Sequence, residues 1–239
     1  MSYGVKLRVE GEYGCFSRPE LKSEPVSYEV MTPSAARGLL EAIHWKPAIR
    51  WVIDALHVLR PIHFQSIRRN EVGSKIPFGK VKSAYKRGDV GGLQLIADED
   101  RQQRTALVLR KPAYIIAAHF EMTEYAGPGD NEGKHLDIFR RRAEKGQCFA
   151  QPCLGFREFD ARFELLAEDA PLPTALTENA DLTEEDKRQL GFSAGGRDLG
   201  FILWDIAHNQ PGRPSQFFHA YLRDGIMQVP QPGSEEIRQ

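Results

Sequence analysis

An α+β fold in two parts, residues 1–167 and 168–239, is what three features of the sequence predict. Hydrophobic patterns of period two and period 3.6 follow one another in the order β-α-β-β-α-β. A long, basic, glycine-rich stretch interrupts that series ahead of its third strand. From about residue 168 the composition turns acidic and then gives way to further strand-like runs around a turn signal.

The elements follow from local chemistry. "VKLRVE" at 5–10 alternates Val5, Leu7 and Val9 with Lys6, Arg8 and Glu10, the signature of a half-buried strand. "MTPSAARGLLEAIHWKP" supplies Thr32 as N-cap, Pro33 at the first helical position and an apolar stripe of Ala36, Leu39, Leu40 and Ile43, before Pro47 ends the helix. "IRWVIDALHVL" from 49 reads as a second strand. "TALVLRKPAYIIAAHFEM" at 105–122 reads as strand material broken near Lys111-Pro112. After "NEGKH" at 131–135 the spacing of Leu136, Phe139 and Ala143 predicts a second helix, and "EFDARFEL" turns Phe159, Ala161, Phe163 and Leu165 to one face of a last strand. This order is that of a ferredoxin-like, RRM-like module, so residues 1–167 are expected to form one with a basic insertion. Residues 168–239 hold "SAGGRDLGFILWDI" and "FFHAYLRDGIMQV", where Asp224-Gly225 predicts a hairpin, and are expected to form a small antiparallel β domain with a frayed tail.

Composition excludes several classes. A chain of 239 residues, 41% hydrophobic and 27% charged, is that of a globular protein with a sizeable core. No apolar run approaches the roughly 20 residues that cross a bilayer, and the N-terminus lacks a secretory apolar segment, which predicts a cytoplasmic protein without a membrane partner. Cys15, Cys148 and Cys153 show no C-x-x-C spacing and read as reduced thiols. No H-E-x-x-H, P-loop, G-x-S-x-G or dinucleotide fingerprint occurs, so no metal site and no cofactor are indicated.

The net charge of -1 hides an asymmetry. Residues 64–90 carry Arg68, Arg69, Lys75, Lys80, Lys82, Lys86 and Arg87 against Glu71 and Asp89, whereas 164–190 carry eight acidic residues against Lys187 and Arg188. A basic stretch of this kind is either a solvated loop or a face for a polyanion.

Two helix ends carry the candidate chemistry. Lys134 and His135 fall in the first turn of the second helix, where free N–H groups and the positive dipole end favour an anion. Lys134 adds a charge there, and a neutral His135 could take a proton from an attacking hydroxyl; the alternative is a plain helix start with a solvated lysine. His44, in the last turn of the first helix, is expected to be favoured as imidazolium by the negative dipole end and to act as a proton donor. Its alternative is a structural histidine sharing a face with Arg37 and Glu41. His57, His63 and His119 lie in strands or at their ends, His208 and His219 lie in the C-terminal region without a recognisable partner, and all five read as structural.

"SYEVMTPSAARGLLEAIHWKPAIRWVIDALHVLRPI", "IRRNEV", "NEGKHLDIFRRRAEKGQCFAQPCLGFREFDARFE" and "LGFILWDI" together resemble the CRISPR-associated protein of the Cas five group found in type I-C systems, subtype Dvulg, over about residues 3–230. The resemblance implies a RAMP-type protein with a ferredoxin-like N-terminal and a smaller C-terminal β domain. It implies an endoribonuclease that binds the hairpin repeat of precursor CRISPR RNA, cuts it without a metal, and stays on the 5′ handle of the guide. The catalytic lysine and histidine of that family match Lys134 and His135. Its third position is usually a tyrosine just before "WKP", and this sequence has His44 there. The implied reaction uses the substrate's own 2′-hydroxyl and leaves a 2′,3′-cyclic phosphate and a 5′-hydroxyl, with His135 as base, Lys134 on the phosphorane and His44 as acid. Arg37, Lys46, Arg68, Arg69, Lys75, Lys80, Lys82, Arg140 and Arg141 are the cations expected to meet RNA. The implied partners are the repeat hairpin and the backbone and large subunits of the type I-C interference complex, with DNA a further polyanion that the basic surface would admit. The alternative is a non-cleaving subunit that caps the 5′ handle.

Overall fold

The computed structural model describes residues 4–21 and 23–239, so the first three positions of the expected N-terminal domain lie outside the described residues. In chain order the elements are β1 (Val5–Glu10), β2 (Tyr13–Gly14), α1 (Pro33–Ile43), β3 (Ile49–Val58), β4 (Phe64–Val72), α2 (Phe78–Arg87), β5 (Arg101–Arg110), β6 (Ala113–Met122), α3 (Glu132–Glu144), β7 (Arg162–Leu165), α4 (Ala175–Glu178), α5 (Glu184–Gln189), β8 (Arg197–Ile206), β9 (Ser215–Arg223) and β10 (Ile226–Gln228). The fold is mixed α/β with antiparallel sheets. One seven-stranded sheet runs β7-β1-β6-β3-β10-β9-β8, and a three-stranded sheet runs β2-β5-β4.

Period-two patterning sets the register of the central strands. Val5, Leu7 and Val9 of β1 are buried opposite Ala118, Ile116 and Tyr114 of β6, while Lys6, Arg8 and Glu10 point to the other face. α1 begins as its sequence dictates: Thr32 is extended and accepts from Ala35 N at 3.3 Å, and Pro33 occupies the first position, where its missing N–H costs nothing. Its stripe of Ala36, Leu39, Leu40 and Ile43 is buried. Under α3, Trp51 of β3 packs against Phe139 and Phe120 with ring centroids 4.8 and 5.2 Å away. Burying such aromatic side chains is worth about 1.5–3 kcal/mol each relative to exposure.

The basic insertion is structured. β4 and β5 form a long antiparallel hairpin with α2 between them, and α2 ends at Gly88, whose φ of 69° suits glycine. Lys111-Pro112 separates β5 from β6, and Lys111 takes a φ of 48° there. The Asp224-Gly225 turn joins β9 to β10 with both φ values positive, as a tight hairpin requires. β10 pairs with β3 as well as with β9, so the C-terminal strands extend the sheet that β1 and β6 begin. The tail, expected to fray, is held: Arg238 and Phe217 exchange backbone hydrogen bonds of 2.8 and 2.7 Å. Cys15, Cys148 and Cys153 are free thiols. No helix among the described residues is long and apolar enough to cross a membrane.

Candidate active site

Two chain reversals bring the predicted residues together. Ahead of Pro47 the chain cannot stay helical, so His44 leaves α1 with φ -151° and ψ 121° while its N–H still donates to Leu40 O at 2.9 Å. Its carbonyl accepts from the Trp51 indole at 2.9 Å, which ties the helix end to β3. At the other reversal Asn131 is extended and its Oδ1 accepts from Lys134 N at 2.9 Å, capping α3 and placing Lys134 and His135 in the first turn.

The imidazoles meet at this junction. His44 Nε2 lies 3.1 Å from His135 Nδ1, the rings stack with centroids 5.4 Å apart, and each residue is 1% exposed. Two neutral imidazoles in such a contact share one proton, with one nitrogen donating and the other accepting. Among the described residues the remaining ring nitrogens, His44 Nδ1 and His135 Nε2, are buried without a hydrogen-bond partner. Asp130 Oδ1 lies 3.3 Å from His135 Nε2, outside hydrogen-bond alignment. The same carboxylate oxygen accepts from Lys134 Nζ at 3.0 Å, and that ammonium also donates to Gly129 O at 3.0 Å. Asp130 is held ionised below its ordinary pKa, first by the Lys134 hydrogen bond and then by the Gly127 N–H.

The expected charge on His44 is corrected. Burial lowers its pKa to about 4, and the nearby Arg142, His135 and Lys46 act in the same direction, so the ring is neutral near pH 7. The helix dipole does not prevail, for two reasons. His44 sits just past the last turn, and Arg142 Nη1 donates to Ile43 O at 2.8 Å, putting a fixed cation where the negative dipole end would act. The expected partnership of His44 with Arg37 and Glu41 is replaced as well. Arg37 binds both Asp205 oxygens at 2.9 Å and Glu41 at 2.5 Å.

The cations expected to meet RNA separate into groups. Arg68, Lys75, Lys80 and Lys82 are exposed on β4, the following loop and α2, alongside the exposed Phe78 and Tyr85. Arg69 instead pairs with Glu158 at 2.7 Å and stacks over Phe156 at 4.2 Å. Lys46 is exposed two residues after His44, Arg141 is exposed on α3, and Arg140 reaches Glu168 at 3.3 Å. Sequence reasoning missed Asp130, Arg142 and Trp51. Asp130 alone had a legible signal, an acid just before the N-cap and four residues ahead of a lysine. Among the described residues no group of His, Cys, Asp or Glu is arranged to hold a metal ion.

Fold and site define a mixed α/β protein with a buried histidine pair set beside a lysine-bearing helix start, an arrangement suited to moving a proton next to an anion. The model of the family described as CRISPR-associated protein (Cas_Cas5) matches residues 4–230. The chain is 49% identical over 238 residues, 100% of both proteins, to a protein of Mannheimia succiniciproducens named CRISPR pre-crRNA endoribonuclease Cas5d. It is 37% identical over 251 residues, 98% of this chain and 94% of the relative, to a protein of the same name from Thermus thermophilus. In fold it is similar to a solved CRISPR-associated protein, with a TM-score of 0.62 at 19% identity over 100% of this chain and 97% of the other. The chain belongs to the CRISPR-associated Cas5 family, in its type I-C (Cas5d) branch.

Proposed function

We propose that the chain is a metal-independent endoribonuclease that binds and cleaves the repeat hairpin of precursor CRISPR RNA through the substrate's own 2′-hydroxyl. The observation that carries this reading is the 3.1 Å contact between His44 and His135 beside Lys134. A ribose hydroxyl attacking its neighbouring phosphate needs a base, a group for the charge gathering on phosphorus, and a proton for the leaving oxygen.

In the resting state Asp130 fills the anion position at the start of α3. Its carboxylate favours a proton on His135 Nε2, so the shared proton then belongs to His44 Nε2 and donates to His135 Nδ1. A substrate phosphate competes with Asp130 for Lys134. Once the carboxylate is displaced, both rings change tautomer: His135 gives its Nε2 proton to solvent and takes the shared proton on Nδ1, which then donates to His44 Nε2, while His44 takes a solvent proton on Nδ1, so each ring stays neutral and Nε2 of His135 is free to take the 2′-hydroxyl proton. Lys134 then stabilises the phosphorane. His44 is a positioning partner and not the acid, because it is neutral; protonated His135 returns the proton to the leaving 5′-oxygen.

The central strand order β7-β1-β6-β3, with α1 connecting β1 to β3 and α3 connecting β6 to β7, supports reading the N-terminal part as ferredoxin-like. Residues 168–239 then form the smaller second domain. After cleavage the protein stays on the 5′ handle, with the backbone and large subunits of the interference complex as partners, in the cytoplasm. The exposed cations of β4 and α2 are the surface for RNA, and DNA would meet the same charge.

The test mixes purified chain with repeat RNA beside its His135→Ala variant prepared in the same way. Product from the first and not from the second supports the enzyme. Binding by both without product leaves a subunit that caps the guide.

A further inference from the structure

β3 pairs with β6 along its whole length but with β10 only at Ala55–His57, so among the described residues Ile49–Ile53 have no strand on their second side. A cavity of about 540 Å³ fills this gap between β3, α1 and β8. That volume suits a small planar ligand, and two of the lining residues, Trp45 and Trp51, are tied to His44 by sequence and by a hydrogen bond. Trp45, which follows His44 directly, stands at its rim 51% exposed, and Tyr125 stands there 72% exposed. Trp51, whose indole holds the His44 carbonyl, forms part of the wall.

The charges of the wall are already matched. Arg37 is bound by both oxygens of Asp205 and by Glu41, and Arg50 by Glu121, so among the described residues each arginine of the lining already has a carboxylate partner. What it offers is aromatic faces, unpaired strand-edge amides and carbonyls, and a carboxylate edge, a set that suits a neutral ring with polar atoms on its rim. The reaction needs such a guest close by. A 2′-hydroxyl attacks its phosphate only when attacking and leaving oxygens lie in line, which a stacked A-form strand does not allow, so a base beside the cut must leave the stack.

We propose that this cavity binds one unstacked nucleobase, from a nucleotide adjoining the cleaved phosphate, held by Trp45 and Tyr125 and read by the open edge of β3. This rests on the endoribonuclease reading and adds a substrate subsite to it.

Single abasic nucleotides are scanned through the unpaired positions of the repeat RNA, and affinity and single-turnover cleavage are measured for the wild-type chain, Trp45→Ala and Tyr125→Ala. Both side chains are exposed, and thermal melts check that the variants fold. One abasic position should weaken binding or cleavage by roughly 10- to 100-fold in the wild type, the usual worth of base–aromatic stacking. The same position should cost Trp45→Ala little more, because the stacking partner is already gone. Equal penalties in wild type and variants at every position, or no penalty anywhere, overturn the proposal. RNA that binds with this pattern but is never cut sinks the enzymatic reading and leaves the subsite, whereas normal cleavage without the pattern sinks the subsite and leaves the enzyme. RNA that does not bind at all overturns both.

Discussion

Nε2 of His44 lies 3.1 Å from Nδ1 of His135, across 91 residues of sequence and with both rings buried. Each ring is aimed by its own helix terminus, and in the proposed reaction the contact would let the two imidazoles handle protons as one unit.

His135→Ala should lower single-turnover cleavage by about 10² to 10⁴, the usual worth of a general acid–base group, with little change in RNA affinity. Equal losses of rate and affinity, measured by titration and quench-flow on the same hairpin, would make His135 an anchor for RNA and not a participant in the chemistry.

His44→Tyr should preserve a hydrogen bond to His135 and most of the rate, whereas His44→Ala should cost roughly 10- to 100-fold, the loss of one buried hydrogen-bond partner. Because His44 is neutral above about pH 4, the wild-type rate should show no alkaline decline that His44→Tyr abolishes. Rates from pH 5 to 9 check this. An alkaline limb present in the wild type and missing in the tyrosine variant would restore His44 as a protonated acid.

His44 also makes a stability prediction. Its folded pKa of about 4 lies below the ordinary value of 6.5, so the unfolded chain binds more protons between those two values. The contribution of a neutral His44 is complete above pH 6.5 and is lost as pH falls toward 4, by up to roughly 3 kcal/mol. Denaturant titrations of wild type and His44→Gln across that window should diverge in slope, with the variant flatter. Parallel curves would show that His44 carries no such linkage.

Much of this arrangement was legible in the sequence, for physical reasons. Thr32, Pro33 and Pro47 bound α1, and Asn131 caps α3, because caps and prolines act within one turn of themselves. Alternation gave β1, and Asp224-Gly225 gave its hairpin, since both depend on neighbours in sequence. What stayed hidden depends on distant groups. The neutrality of His44 comes from burial and from Arg142 on another helix, and Arg37 is taken by Asp205, 168 residues away. The tail looked frayed because its partner, Phe217, lies on β9 and no local signal names it.

Asp130→Asn should tighten RNA binding several-fold, since the resident carboxylate no longer competes with phosphate for Lys134. Filter binding at fixed salt reads the change. Weaker binding would mean that Asp130 supports the RNA site and does not occupy it.

Arg68 and Arg69, adjacent in sequence, should behave differently. Arg68→Ala should weaken RNA binding and reduce the log–log salt slope by roughly 0.7 to 0.9 for one lost phosphate contact. Arg69→Ala should chiefly lower the melting temperature, because Arg69 holds Glu158 and Phe156. Identical salt slopes for wild type and Arg68→Ala would leave Arg68 as ordinary surface charge.

The claim that the RNA's own 2′-hydroxyl is the nucleophile, activated by this chain's side chains, meets its most direct test in one single-turnover experiment in excess chelator. Two hairpins are compared, one all-RNA and one with a single 2′-deoxy nucleotide just 5′ of the cut. The first should be cleaved to a 2′,3′-cyclic phosphate and a 5′-hydroxyl, and the second should be bound but left intact. Cleavage of the deoxy-substituted hairpin, or cleavage of the all-RNA hairpin only when a divalent ion is restored, would contradict it.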